Sequence, residues 1–330
     1  MVLTTPLLSY LAERGAVDVV CTPAAAALLA NHPALREIIV YDKRGGDRGV
    51  GGFLRLASRL RRAHYDTAYH AQGSPRSGAL TTAARIPERV GFATSAGRMF
   101  YTTRVAPIDN MHHAARLLSL GTRDPLRSVA PSVLRPRLYP GAAERQAVDA
   151  VLGSGRDQRP LIALAPGSVW ATKRWPYYAD LAKEIAAEAR IVVVGGAADR
   201  ELAQTILAAA GERAIDATGR LSLLASAELI GRAALLVTND SSPLHLASAM
   251  NTPTLAIFGP TVPEFGFGPL AERAEVTGVD GLTCRPCDRH GPQRCPLGHW
   301  KCMRDLSPAA IAAIARRVLG SAGSATDADR

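Results

Sequence analysis

The chain has 330 residues, 47% of them hydrophobic and only 5% aromatic, enough for two domains with sizeable cores and against disorder except along the tail from Gly320 to Arg330. A net charge of +10 favours anionic partners. Charge alone does not choose among nucleic acid, a phospholipid surface and a phosphorylated substrate, but the basic residues are scattered without aromatic interleaving or a nucleic-acid motif.

No apolar run approaches the roughly 18 residues needed to cross a bilayer. The start, MVLTTPLLSYLAERG, has no basic region before its apolar part and no small-residue cleavage pattern, so the expectation is a cytoplasmic protein. Val2 to Arg14 has amphipathic helical spacing, with Leu3, Leu7, Leu8 and Leu11 on one face. Strands are predicted at Val17 to Cys21, Glu37 to Tyr41, Thr67 to His70 and Arg89 to Phe92. Helices fall between them at Pro23 to Ala30, Gly51 to Ala63 and Arg76 to Arg85. This alternation indicates βαβ units and a parallel sheet. Such a domain normally opens with a strand and this one opens with a helix, so its first strand is expected to be missing.

Asn110 to Leu120 reads as a helix, and Thr122 to Gly141, rich in Pro and Arg, reads as the linker region. With the helix at Ala142 to Leu152 counted into the first half, the boundary is placed between 155 and 156. A second βαβ series follows, with strands at Leu161 to Ala165 and Arg190 to Val194 and helices at Tyr177 to Ala189, Asp199 to Ala210 and Ser222 to Arg232. The last helix is Ser307 to Leu319. Two such halves would face each other across a ligand cleft.

Leu235 to Thr261, LLVTNDSSPLHLASAMNTPTLAIFGPT, reads as strand, turn, helix, strand. Ser241 and Ser242 are good N-cap residues, and Pro243 suits a first turn because its missing N–H would be unpaired there anyway. Free backbone N–H groups and the helix dipole would then favour an anion, most simply a phosphate. The alternative is an ordinary well-capped helix. Other strand ends carry polar loops as well: Pro166, Gly167 and Ser168 with Lys173 and Arg174, then Gly196 to Asp199, then Asp216 to Gly219. Gly167 admits close backbone approach, Ser168 offers a hydroxyl and Lys173 a point charge suited to phosphate; a solvated helix lead-in is the plainer reading of Lys173 and Arg174. The loop after IVVVG lacks the full G-x-G-x-x-G pattern.

The segments PGSVWATKRWP at 166–176, GGAADRELA at 195–203, DATGRLSL at 216–223 and TNDSSPLHLASAMNTPTLAIFGPT at 238–261 together resemble glycosyltransferase family 9, the lipopolysaccharide heptosyltransferases. VLTTPLL at 2–8, YDKRGGDRG at 41–49 and RSGALTTAARIPERVGF at 76–92 agree, and the DKRG segment is most similar to the heptosyltransferase II branch. The resemblance implies an α/β GT-B fold of two Rossmann-like domains, residues 1–155 binding the acceptor and 156–330 the nucleotide sugar. It implies transfer of heptose from ADP-L-glycero-β-D-manno-heptose to the inner core on lipid A, at the cytoplasmic face of the inner membrane.

By matching positions, Asp240, Ser241 and Ser242 would hold the diphosphate with His245 one turn further on, a hydrogen-bonded core histidine being its plainer reading. Ser168 and Lys173 would contact phosphate or heptose, Asp199 or Glu201 the nucleoside side, and Thr218 and Gly219 the neighbouring wall. The reaction implied is an inverting displacement, with Lys173 and backbone donors stabilising departing ADP so that no metal is required. Lys43, Arg44, Arg76, Arg85 and Arg89 are candidates for acceptor phosphates, or solvated surface residues. In the family a strand and a Gly-Asp pair precede the VLTTPLL-like helix, and that Asp is the expected base. The sequence begins at the next position, so no base is assigned within it; a misplaced or truncated start is the favoured reading, and of these 330 residues as they stand weak or absent transfer and a poorly stable first domain are expected. Two rivals remain, a sugar-nucleotide epimerase of GT-B architecture and a donor-binding pseudoenzyme.

Of five cysteines, Cys21 closes the apolar run VDVVC and reads as core. Cys284 and Cys287 have zinc-ligand spacing and are followed by Cys295 and Cys302, with His290 and His299 close by. A structural zinc and reduced thiols in a packed loop are the two readings; disulfides are disfavoured in the cytoplasm.

Overall fold

In the computed structural model, residues 1–123, 129–153, 157–211 and 214–320 are described. The tail expected to be disordered lies, from residue 321 on, outside them. The chain forms two compact units that divide between Leu134 and Arg135.

The first unit runs α1 (Thr5–Ala12), β1 (Asp18–Cys21), α2 (Pro23–Leu29), β2 (Glu37–Val40), α3 (Gly49–Arg62), β3 (Thr67–His70), α4 (Pro75–Ala83), β4 (Glu88–Phe92), β5 (Thr103–Val105), α5 (His113–Thr122) and α6 (Pro131–Leu134). Helix starts follow local chemistry: Pro23 and Pro75 sit in first turns, and Ser74 Oγ caps α4 by accepting from the Ser77 backbone N–H at 3.2 Å. All strand pairs are parallel, but they form two sheets, β1-β2 and β3-β4-β5. Ile39, Tyr41, Leu56, Leu60, Leu80 and Ile86 form a shared core beneath α3 and α4. Asp18 is buried under Arg36 and Tyr65, whose hydroxyl donates to it at 2.5 Å.

The second unit runs α7 (Ala142–Leu152), β6 (Leu161–Ala165), α8 (Tyr178–Ile185), β7 (Arg190–Val193), α9 (Arg200–Ala210), β8 (Ala214–Asp216), α10 (Leu223–Gly231), β9 (Leu235–Asn239), α11 (Ser242–Met250), β10 (Thr254–Ile257), β11 (Ala274–Thr277), α12 (Lys301–Arg304) and α13 (Pro308–Gly320). One parallel sheet has the order β11-β10-β9-β6-β7-β8. LIALA, LLVTN and TLAI read as nearly unbroken buried runs because helices cover both faces of the sheet. Residues of α8, α9 and α13 join the core beneath Ile162, Leu164, Val237 and Ile257, while α7 and α11 flank α10.

The boundary lies earlier than the expected 155/156. Helix α7 packs against α10 and β8, and Arg232, which caps the end of α10, donates to Asp149 at 2.5 Å, so α7 belongs to the second unit. Two short strands, β5 and β11, were not anticipated; both are outermost in their sheets and only partly buried, which leaves little apolar signal. No described helix is long and apolar enough to cross a membrane.

Candidate functional site

Strand β6 has β7 on one side and β9 on the other, so the winding reverses there and the carboxyl ends of β6 and β9 open a crevice between their loops. Pairing of Ala165 with Thr238 brings Pro166 beside Asn239. Asn239 is fully buried and ties the two loops together: its amide donates to the Pro166 carbonyl at 2.8 Å, and its oxygen accepts from the Trp175 N–H at 3.2 Å and the Tyr178 hydroxyl at 3.4 Å. Trp175 is anchored in turn by its indole N–H on the Leu306 carbonyl at 3.0 Å.

This frame aims Lys173. A single 3-10 turn, Ala171–Lys173, buries the lysine to 8% exposure and leaves Arg174 exposed. Lys173 Nζ donates to Asp240 Oδ2 at 2.5 Å, and Thr261 Oγ1 donates to the same oxygen at 2.7 Å. The solvated lead-in reading therefore holds for Arg174 and fails for Lys173. A carboxylate repels a diphosphate, and Asp240, expected among the diphosphate contacts, is engaged in holding the lysine.

Ser241 is the N-cap of α11 in extended backbone, and its hydroxyl makes no cap bond but lies 3.4 Å from Thr238 Oγ1. Ser242 is exposed in the first turn, and His245 is half-buried with its ring 6.3 Å from that of Phe267. Ser168 Oγ accepts from the Trp170 N–H at 3.3 Å, and its carbonyl accepts from Arg174 at 2.9 Å. Asp199 Oδ2 accepts from the Gly196 N–H at 2.8 Å. A Cβ on Gly167 would fall 2.3 Å from Asp199 Oδ1, so a larger residue there would displace the Asp199 carboxylate. Glu201 is exposed in the first turn of α9. Thr218 is fully buried, held by Asp216 Oδ1, which accepts from its N–H at 2.8 Å and its hydroxyl at 2.6 Å. Gly219, at φ +65°, donates to the Gly195 carbonyl at 3.0 Å. The donor-side candidates therefore lie along one edge of the sheet. Asn239, Thr261 and Asp216 were not singled out for the parts they play; each shows only once strand ends are paired.

Residues 278–300 carry no helix or strand, yet they wall the Lys173 turn. Gln293 accepts from the Ala171 N–H at 3.1 Å and donates to the Val169 carbonyl at 2.9 Å, Thr172 Oγ1 donates to the Pro292 carbonyl, and the His290 ring stacks on Trp170 at 6.4 Å. The Cys287 N–H donates to the Pro260 carbonyl at 2.9 Å, and Arg285 Nη2 donates to the carbonyls of Phe258 and Thr261 at 3.0 and 3.3 Å. Cys284, Cys287, Cys295 and Cys302 are free thiols. Burial, then the charges of the other three cysteines, push the Cys302 thiol up to about 11. Among the described residues no three His, Cys, Asp or Glu side chains already stand as a metal cage.

In the first unit the basic candidates separate into two groups. Lys43 and Arg44 are exposed after β2, and Arg76, after β3, donates to Tyr41 Oη at 2.5 Å and to the Gly49 carbonyl at 3.3 Å, joining the loops at these carboxyl ends. A cavity of about 200 Å³ opens there, lined by Val40, Tyr41, Asp47, Arg55, Leu56 and Arg59. Arg85 and Arg89 sit at the amino-terminal side of β4 instead. Arg85 is in left-handed backbone past the end of α4, and the Arg89 guanidinium is engaged by the carbonyls of Phe100 at 2.7 Å and Ile86 at 2.5 Å. The larger cavity, about 350 Å³ between Ile162, Ile185, Ala189, Ala315 and Leu319, is likewise at the amino-terminal side of β6, away from Lys173.

Residues 53–300 match the family described as glycosyltransferase family 9 (heptosyltransferase). The chain is 30% identical to lipopolysaccharide heptosyltransferase 2 of Salmonella typhimurium, over 79% of this chain and 78% of that protein. Its fold matches the solved structure of Escherichia coli ADP-heptose lipopolysaccharide heptosyltransferase II with a TM-score of 0.80 at 25% identity, covering 98% of this chain and 96% of that one. A glycosyltransferase family 9 structure from Veillonella parvula matches with a TM-score of 0.83 at 24% identity, covering 97% and 94%. The α/β fold is thus of the GT-B class.

Proposed function

The chain belongs to glycosyltransferase family 9, the heptosyltransferase family, and on that premise we propose that it transfers heptose from ADP-L-glycero-β-D-manno-heptose to the lipopolysaccharide inner core with inversion. The observation that carries this reading is the buried Lys173, held by Asp240 at the switch point of the second sheet. A cation fixed there by a neighbour needs no reorganisation when negative charge develops on a departing ADP. Backbone N–H groups at the start of α11, with the Ser241 and Ser242 hydroxyls, are placed to share that charge. With these groups on the leaving diphosphate, the reaction we propose runs without a divalent metal. Ser168, Asp199, Glu201, Thr218 and Gly219 border the same edge as the nucleoside and sugar walls. We assign no general base within this sequence.

The acceptor side of the proposal is narrower than the charge count suggested. Lys43, Arg44 and Arg76 stand at carboxyl strand ends and suit acceptor phosphates, whereas Arg85 and Arg89 lie at the opposite side of the sheet, Arg89 with its guanidinium held by the Phe100 and Ile86 carbonyls. Work at the cytoplasmic face of the inner membrane is supported by α3, which exposes Val50 and Leu54 among Arg55, Arg59, Arg61 and Arg62.

The test is to supply the donor with a heptose-deficient lipid A core, follow ADP release, and determine the anomeric configuration of the product. Release of ADP that depends on acceptor, gives the inverted anomer and is unchanged by added Mg2+ is the expected result. Donor turnover without acceptor would identify an epimerase instead, and ADP binding without turnover a donor-binding protein.

A further inference from the structure

Asn239 pins the lysine-bearing segment at its two ends, through the Pro166 carbonyl and the Trp175 N–H. Between them Val169 and Trp170 belong to no helix or strand. The backbone there is held instead by Gln293, 120 or more positions later in the chain. Its carboxamide oxygen accepts from the Ala171 N–H at 3.1 Å and its nitrogen donates to the Val169 carbonyl at 2.9 Å, so one side chain satisfies the backbone on both sides of Trp170. At neutral pH only the carboxamide of Asn or Gln presents an N–H donor and a carbonyl acceptor side by side in one plane.

The residues just before Gln293 press on the lysine itself. Thr172 Oγ1 donates to the Pro292 carbonyl. A Cβ on Gly291, at φ +81°, would stand 3.3 Å from Lys173 Cε and 3.2 Å from Pro260 Cγ, so the bare backbone of Gly291 lies between the lysine stem and the loop after β10. That loop supplies Thr261, whose hydroxyl donates to the same Asp240 oxygen as Lys173. Residues 291–293 therefore touch both the lysine turn and the loop that helps hold its partner. Thr172 and Lys173 are buried while Gln293 is exposed, so Gln293 adds little to the core and its two bonds act on the turn alone.

We propose that Gln293 is a positioning residue for the Lys173 ammonium. It keeps the Ala171–Lys173 turn in the geometry that sets Nζ against Asp240 before any donor arrives, so the cation meets the diphosphate without reorganising. Without it the turn loosens and the lysine leaves its buried place. Gln293 touches neither the lysine nor the ligand's place through its own charge; it acts through the backbone on either side of Trp170. Both bonds compete with water, so the effect is several-fold and not orders of magnitude. The link to ADP rests on the function proposed above, but the hold on Lys173 does not.

The test compares the whole chain with its Gln293→Ala variant. Trace acetylation with acetic anhydride, read by mass spectrometry as modification of Lys173 relative to the exposed Lys183, reports on the lysine with no ligand present. In Gln293→Ala this ratio is expected to rise several-fold, with the urea midpoint nearly unchanged. The Kd for ADP should rise about fivefold. In a Lys173→Ala background the same substitution should leave ADP affinity where it was, because a residue that acts through the lysine then has nothing to position. A wall that is merely loosened would weaken ADP binding in both backgrounds. An unchanged Lys173 ratio overturns the proposal even if ADP binds, and so does an equal loss of affinity with and without the lysine. A raised ratio in a protein that binds no ADP would uphold the positioning role and count against the donor site.

Discussion

Lys173 Nζ and Asp240 Oδ2 are 2.5 Å apart with side chains only 9% and 12% exposed, joining the loops after two neighbouring strands. Removing one partner of a buried pair leaves the other charge unpaired, which costs about 3 kcal/mol or more. Lys173→Ala is therefore expected to lower unfolding stability by about 3 kcal/mol and to weaken ADP binding at least tenfold. Asp240→Asn, which leaves the lysine charge in place, should weaken ADP binding less. Titration calorimetry and urea denaturation of the single and double variants check this. A double variant as destabilised as the sum of the singles would show that the pair is not coupled.

Asn239 predicts an effect with no ligand contact. It satisfies the Pro166 carbonyl and the Trp175 N–H from a fully buried position, so Asn239→Ala orphans both, at about 1–3 kcal/mol for each group left unsatisfied. Asn239→Asp should do no better, because a carboxylate cannot donate to the Pro166 carbonyl. Thermal unfolding with ADP titration is the measurement. Wild-type stability in the aspartate variant would sink the idea that the donated bond matters.

Most helices and the long strands of both units follow from apolar periodicity and helix-start residues, as at Ser222 and Pro243. What escaped was set by contacts between distant segments. Helix α7 reads the same whichever unit it joins, and only its packing on α10 shows which. Asp240 is indistinguishable in sequence from a ligand residue until Lys173, 67 positions earlier, is seen against it. Arg76 and Arg89 have equal charge and opposite situations, since one stands at a carboxyl strand end and the other is wrapped by carbonyls near an amino end. The resemblance supplied the family, and the pairing of strand ends showed which of its residues are held by other side chains or carbonyls.

Gly219 should be intolerant of any side chain. Left-handed backbone costs an alanine about 1–2 kcal/mol, and its Cβ would also stand 2.9 Å from Ala197 Cα and 3.1 Å from Ala197 N, both backbone atoms. Gly281, at φ +72°, has nothing within 4 Å and serves as the reference for strain alone. Gly219→Ala should thus lose more stability than Gly281→Ala in urea denaturation. It should also weaken ADP binding by shifting the loop after β7. Equal losses in the two variants would mean that the collision relaxes without cost.

His70, buried at the carboxyl end of β3, makes the first unit acid-sensitive. Its ring lies against Tyr101 with centroids 4.7 Å apart, and Nε2 is 3.1 Å from Thr81 Oγ1. Burial, then the positive charge of Arg89, holds its pKa down to about 4 against an ordinary 6.5. Between these values the unfolded chain binds the proton and the folded chain does not. The contribution is therefore fully present above pH 6.5, falls as pH is lowered, and is gone below about 4, a total of about 3 kcal/mol. Depressed carboxylates such as Asp18 and Glu88 add losses of the same sign at lower pH, so the informative quantity is a difference between proteins. His70→Gln lacks the titrating ring and should show a shallower fall in hydrogen-exchange protection of β3 and β4 between pH 7 and 4.5. Parallel curves for the two proteins would remove His70 as the acid-sensitive group.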